Sequence, residues 1–146
     1  MIYLVDTNVL LRGIQATDPM YADARRAVAT LINQRHQLSV IAQNLIEFWA
    51  VATRPQANNG LALSIIDTAA HINSFQESFI LLPDTPNIFS EWQHLVETHS
   101  VSGRQVHDAR LIAAMVVHGV SNLLTFNADD FNRYHGITVV NPQSII

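Results

Sequence analysis

Five short apolar runs, residues 2–5, 38–41, 79–82, 122–125 and 137–140, punctuate the chain, and the longer segments between them carry helical spacing. Each run is nearly continuous in hydrophobicity and mostly rich in Ile, Val or Leu, where a strand with one wet face would alternate. All five are therefore expected to be buried central strands of a parallel sheet. Parallel neighbours need crossovers, and the intervening segments supply them. Asp18-Pro19 reads as an N-cap with proline in the first turn, followed by Ala24, Ala27, Val28, Leu31 and Ile32 at spacings of three and four, with an end near Arg35. Residues 43–53 carry Leu45, Ile46, Trp49 and Ala50 and stop before Pro55, whose ring disfavours helix at the preceding residue. Asn58-Asn59-Gly60 reads as a loop. Residues 63–75, 86–99 and 105–118 complete the helices, the last ended by Gly119 as a C′ residue. The alternation gives an α/β fold with right-handed crossovers, and two helices rather than one precede the fourth run.

At 146 residues, a single domain spanning 1–146 is expected. Hydrophobic residues make up 49% and charged residues 14%, which excludes intrinsic disorder. No apolar run approaches the roughly 18 residues that span a bilayer, and no basic segment precedes Asp6, so neither a membrane anchor nor a signal peptide is expected. The absence of cysteine excludes disulfides and thiolate metal sites, leaving a cytoplasmic location as the expectation. All eight basic residues are arginine, and the formal net charge is −4. Such a chain should not hold a polyanion nonspecifically, because that affinity comes from cations displacing counterions. The objection weakens if several carboxylates share a metal site.

The acids are placed to do so. Ligands of open α/β sheets bind outside the carboxyl ends of the strands. Asp6 follows the first run, Glu47 opens the helix after the second, Asp108 opens the helix before the fourth, and Asp129-Asp130 follow the fourth. Each has a plainer reading: Asp6 as an N-cap, Asp108 as a complement to a helix dipole, Asp129-Asp130 as a turn. Glu47 stands among Leu45, Ile46, Phe48 and Trp49, where an unpaired buried carboxylate would be costly, so it needs a partner. Carboxylates gathered on one edge suit hard cations such as Mg²⁺ and Mn²⁺, and phosphodiester hydrolysis is the chemistry that uses them.

Rival chemistries lack their residues. There is no His-Glu-x-x-His, and His94 and His99 are five apart, off a common helical face. His107 stands beside Asp108 and could border the site. Neither GxGxxG nor GxxxxGK[ST] occurs, and there is no GxSxG elbow. A receiver-type phosphotransfer domain would need a late lysine, and the chain has none.

LVDTNVLLR, the glutamate of NLIEFW, VHDARLIAAM and LLTFNADDF, in that order, resemble the four signatures of PIN domains, particularly the VapC-like ribonuclease toxins of toxin-antitoxin systems. The resemblance runs from Met1 to about Pro142. It implies a three-layer α/β/α sandwich around a parallel sheet, endoribonuclease activity with one or two Mg²⁺ or Mn²⁺ ions, an RNA substrate and a cognate antitoxin. Carried over by residue, it makes Asp6, Glu47 and Asp108 catalytic and metal-binding. In NADDF it assigns Asp130 as the fourth acid with Asn127 as a neutral ligand, and turns Asp129 outward. Thr7, Asn8 and Thr125 would orient the ligands by hydrogen bonds, and Arg12 and Arg110 are candidate phosphate contacts. The alternative is a PIN-like module that binds RNA or protein without cleaving. A homodimer is also expected, because Phe48, Trp49 and Trp92 lie on helices with more apolar positions than one face accommodates.

Overall fold

A computed structural model describes all residues, 1–146. Its order is β1 (Ile2–Val5), α1 (Thr7–Arg12), α2 (Tyr21–Asn33), β2 (Gln37–Ile41), α3 (Ala42–Thr53), α4 (Ile65–Ser78), β3 (Ile80–Leu82), α5 (Pro86–Thr98), α6 (Gln105–His118), β4 (Asn122–Leu124) and β5 (Thr138–Val140). The five strands form one sheet in the order β3-β2-β1-β4-β5, and every pairing is parallel.

Side chains alternate across the sheet and so build two cores. Val5, Val40 and Leu124 face one side, where they meet Val9 of α1, Ala24, Ala27 and Leu31 of α2, Phe48 and Ala52 of α3, and the flank of α4. Leu4, Ile41 and Leu123 face the other, packed on Ile88 and Leu95 of α5 and on Ala109 and the buried run from Leu111 to Met115 of α6. The molecule is thus a three-layer α/β/α sandwich. The two helices before β4 form one packed pair that covers the second face, which accounts for their number.

Three expectations are corrected. The outer runs are edge strands: β3 and β5 each pair with a single neighbour, and Ile80 and Leu81 are 43% and 41% exposed. A continuous run of three or four residues reads alike at the centre and the edge. Phe79 does not belong to β3; it ends α4 and stacks on Phe75 at 6.0 Å. Phe48 is no surface residue but is fully buried, while Trp92 is tied inward by donating Nε1–H to the Val106 carbonyl at 2.7 Å. The exposed large apolar side chains include instead Ile46, Ile65, Ile66 and Phe89.

Helix ends differ by small, explicable amounts. Asp18 caps a turn ahead of α2, its Oδ1 accepting the Met20 N–H at 2.7 Å, so the helix opens at Tyr21. Ser64 caps α4 by accepting the Asp67 N–H at 3.0 Å, so the helix opens at Ile65, two residues after the periodic pattern begins. Gly119 ends α6 with φ of 68°, a left-handed conformation glycine adopts without strain.

Candidate active site

The chain leaves β1 for one neighbour, β2, and returns on the opposite side as β4. A crevice opens at such a switch point, beyond the strands' carboxyl ends. Asp6 and Thr125 flank it, the Asp6 N–H donating to the Leu124 carbonyl at 2.9 Å and the Thr125 N–H to the Val140 carbonyl at 3.0 Å.

Asp6 is buried, and its two oxygens have separate tasks. Oδ1 accepts the Thr7 N–H at 2.8 Å, capping α1. Oδ2 accepts the Thr125 hydroxyl at 2.8 Å and the Asn8 amide at 3.2 Å. Asn8 also donates to Thr125 Oγ1 at 3.1 Å and accepts the Phe126 N–H at 3.2 Å, so it fastens the ends of β1 and β4 together. Burial pushes the Asp6 carboxyl up from 3.8 to about 6; the charges of Asp108 and Glu47 push the same way, against the lowering effect of its bonds to Thr125 and Thr7.

Glu47 is half-buried one turn into α3, set beside the site because the fully buried Phe48 pins that helix to the sheet. It has the partners its surroundings demand: Oε2 accepts the Thr7 hydroxyl at 2.9 Å and Oε1 accepts the Gln43 amide at 2.9 Å. Asn44, fully buried, accepts the Ile41 N–H at 2.9 Å and donates to Thr7 Oγ1 at 3.3 Å. Asp108 lies in the first turn of α6 and is also raised to about 6, chiefly by burial and then by the charges of Asp130 and Glu47, with His107 and Arg104 opposing.

Asp130 stands exposed in the short turn Ala128–Phe131, which the buried Phe131 anchors. It is the acid of NADDF whose charge acts on Asp108. Asp129 and Asn127 are exposed as well, and all three line a hollow of about 340 Å³ beside Phe126 and Asn141. The Asn127 N–H donates to Thr125 Oγ1 at 3.0 Å.

Asp6, Glu47, Asp108 and Asp130, from four separate segments, thus act on one another electrostatically at one edge of the sheet. No three His, Asp or Glu side chains converge as a preformed cation cage. The two arginines expected at phosphates are engaged within the chain. Arg12 donates to Asp18 at 3.3 Å and lies 5.2 Å from the Phe126 ring centre; Arg110 donates to Gln43 Oε1 at 3.2 Å and to Asp84 Oδ1 at 3.3 Å.

The sequence reading passed over Gln43, Asn44, Asp84 and Arg104. Signals existed for three of them: Gln43 is one helical turn before Glu47, Asp84 follows a strand end as Asp6 does, and Arg104 is one turn before Asp108. Asn44 gave none, because its work is done across the fold.

The sequence profile of the PIN domain family matches residues 3–137. No curated protein matches. Among solved structures, VapBC-1 from nontypeable Haemophilus influenzae is 15% identical, with a TM-score of 0.74 over 99% of this chain and 100% of that one. VapBC2 from Rickettsia felis, solved on a DNA fragment from its promoter, is 14% identical with a TM-score of 0.68, covering 97% and 98%. Mycobacterium tuberculosis VapC20, described as a Sarcin-Ricin loop cleaving toxin, is 18% identical with a TM-score of 0.65, covering 88% and 92%. At these identities the likeness concerns the fold, and it is the same parallel sandwich reached from the strands and helices above. Together with the profile match over nearly the whole chain, it follows that this protein belongs to the PIN domain family.

Proposed function

We propose that the protein is an Mg²⁺- or Mn²⁺-dependent endoribonuclease and the toxin of a toxin-antitoxin pair. One observation carries the reading: Asp6, Glu47, Asp108 and Asp130, from four chain segments, lie near enough that Asp108 and Glu47 act on Asp6, and Asp130 and Glu47 act on Asp108, both carboxyls being raised to about 6 chiefly by burial. Like charges at short range repel, and a divalent cation among them would offset that repulsion at neutral pH. The donors are oxygens throughout. Mg²⁺ binds through one or two carboxylates and retains water, which suits an open arrangement rather than a closed cage.

Asp6, Glu47, Asp108 and Asp130 would hold the metal, with Asn127 as a neutral oxygen donor. A bound divalent ion would activate water and offset charge on the leaving oxygen. The protein's own part is orientation. Thr125 and Asn8 fix the Asp6 carboxylate, and Thr7 and Gln43 fix that of Glu47. Arg104, exposed at the head of α6 and near enough to act on Asp108, is a cation without a salt bridge and would meet an RNA phosphate, whereas Arg12 and Arg110 have acidic partners already. An antitoxin partner is supported by the likeness in fold to a toxin-antitoxin complex from Klebsiella pneumoniae.

The test is RNA cleavage by purified protein with Mn²⁺ and with excess chelator. Cleavage with Mn²⁺, abolished by the chelator and absent from an Asp108→Asn preparation made identically, is the expected result. Cleavage that survives the chelator and the substitution would overturn the proposal, as would an RNA that the protein binds and leaves intact.

A further inference from the structure

Gln43 is one of three uncharged side chains at the site, with Asn8 and Thr125, that each make three hydrogen bonds, and it is the one that joins α3 to α6. Its amide presents a carbonyl acceptor at one end and two N–H donors at the other. Oε1 accepts from Arg110 Nη1 at 3.2 Å, while Nε2 donates to Glu47 Oε1 at 2.9 Å and to the His107 carbonyl at 2.8 Å. Both N–H donors and the carbonyl oxygen face a partner of the right kind. A flipped amide would set its oxygen against a carboxylate and a main-chain carbonyl, and its nitrogen against a guanidinium, so the orientation is dictated by the surroundings. Arg110 is itself held by Asp84 at 3.3 Å, just beyond β3.

We infer that Gln43 is a positioning residue, which aims the Glu47 carboxylate and locks the first turn of α3 to that of α6, with Asp84 and Arg110 setting the direction of its amide. The inference rests on the nuclease reading, because it assigns Gln43 its purpose from the ligand role of Glu47. One oxygen of Glu47 is fixed by Thr7 from α1, and the other is fixed only through Gln43. Without Gln43 the carboxylate can turn about its Thr7 bond. The contact with the His107 carbonyl adds a second effect, since the next residue is Asp108. One side chain therefore sets two of the four acids in register, from helices that approach the crevice from opposite faces of the sheet.

The experiment uses Gln43→Met, which keeps the length and removes all three bonds, and Arg110→Met, which frees the amide to flip. Mn²⁺ affinity is read by calorimetry, and melting temperature is read without metal. Gln43→Met should weaken Mn²⁺ binding by about tenfold or more, and Arg110→Met by less, while the metal-free melting temperature stays near the wild type. Unchanged Mn²⁺ affinity in Gln43→Met overturns the inference and leaves the nuclease reading standing. A wild-type protein that takes up no Mn²⁺ overturns both. Should Gln43→Met fail to fold, the side-chain amide NMR signals of Gln43 in the metal-free protein decide. Signals displaced in both Glu47→Ala and Arg110→Met support the positioning role, and signals unmoved in either overturn it.

Discussion

Asp6 shows how a residue can satisfy a local rule and serve a site at once. The N-cap reading and the site reading are both met, because Oδ1 caps α1 while Oδ2 turns to Thr125 and Asn8. The raised carboxyls of Asp6 and Asp108 have a consequence for stability. Both groups ionise near 3.8 in the unfolded chain and near 6 in the fold. The folded form therefore holds its protons longer, and the stability this confers is present below 3.8 and lost as pH rises through about 6. Metal-free protein should melt higher at pH 4.5 than at pH 7 as far as these groups govern it. Asp108→Asn should abolish cleavage, raise the pH 7 melting temperature and flatten that pH dependence; an unfolded variant would make Asp108 a structural residue instead. In NADDF, Asp130→Ala should lose metal affinity and activity, Asn127→Ala should lose less, and Asp129→Ala should change activity by under about tenfold, a barrier difference of roughly 1.4 kcal/mol. A larger loss from Asp129→Ala than from Asp130→Ala would contradict the placement of the fourth acid. Asp6 and Asp130 were legible in the sequence because they follow strand ends, and Glu47 and Asp108 because they stand near the starts of helices that adjoin a strand. The hydrogen bonds that orient them were not, since Thr7 to Glu47 and Asn8 to Thr125 join residues far apart in the chain.

Among the elements, α3 carries the most consequence for its length. Phe48 sits fully buried on the core side and next to Glu47, so the same turn that fills the core fixes the carboxylate. Truncating a buried phenylalanine costs about 3–5 kcal/mol. Phe48→Ala should lower the melting temperature sharply and weaken divalent-ion binding too, whereas Ile46→Ala, at a side chain 67% exposed, should do neither. Equal melting temperatures for the two variants would refute the anchoring role. At the head of α6, Arg104→Gln should weaken RNA binding and reduce its salt slope by about 0.7 for a single strand. Arg35→Gln, at the end of α2 away from the crevice, should leave both measurements alone. Strand positions and helix types could be read from period and caps. Edge and centre could not, because a strand's place in the sheet depends on which neighbours the rest of the chain brings, and β3 and β5 have one each.

For the whole molecule, topology makes the site. The order β3-β2-β1-β4-β5 puts the strands that precede Asp6 and Thr125 side by side, and α1 to α4 and α5 with α6 close over opposite faces, bringing Glu47 and Asp108 to the same rim. No helix is long and apolar enough to cross a membrane. We propose a homodimer formed through Ile46, Ile65 and Ile66, apolar side chains exposed on α3 and α4; a monomer by light scattering at micromolar concentration would refute it. The central claim is that Asp6, Glu47, Asp108 and Asp130 gather in order to hold divalent cations. Anomalous diffraction from a crystal soaked in Mn²⁺ tests it most directly. An anomalous peak is expected in the crevice between β1 and β4, within ligand distance of Asp6 and of at least one of the other three acids, and lost in Asp108→Asn. A crevice without a peak, in a crystal where Mn²⁺ is bound elsewhere, would contradict it.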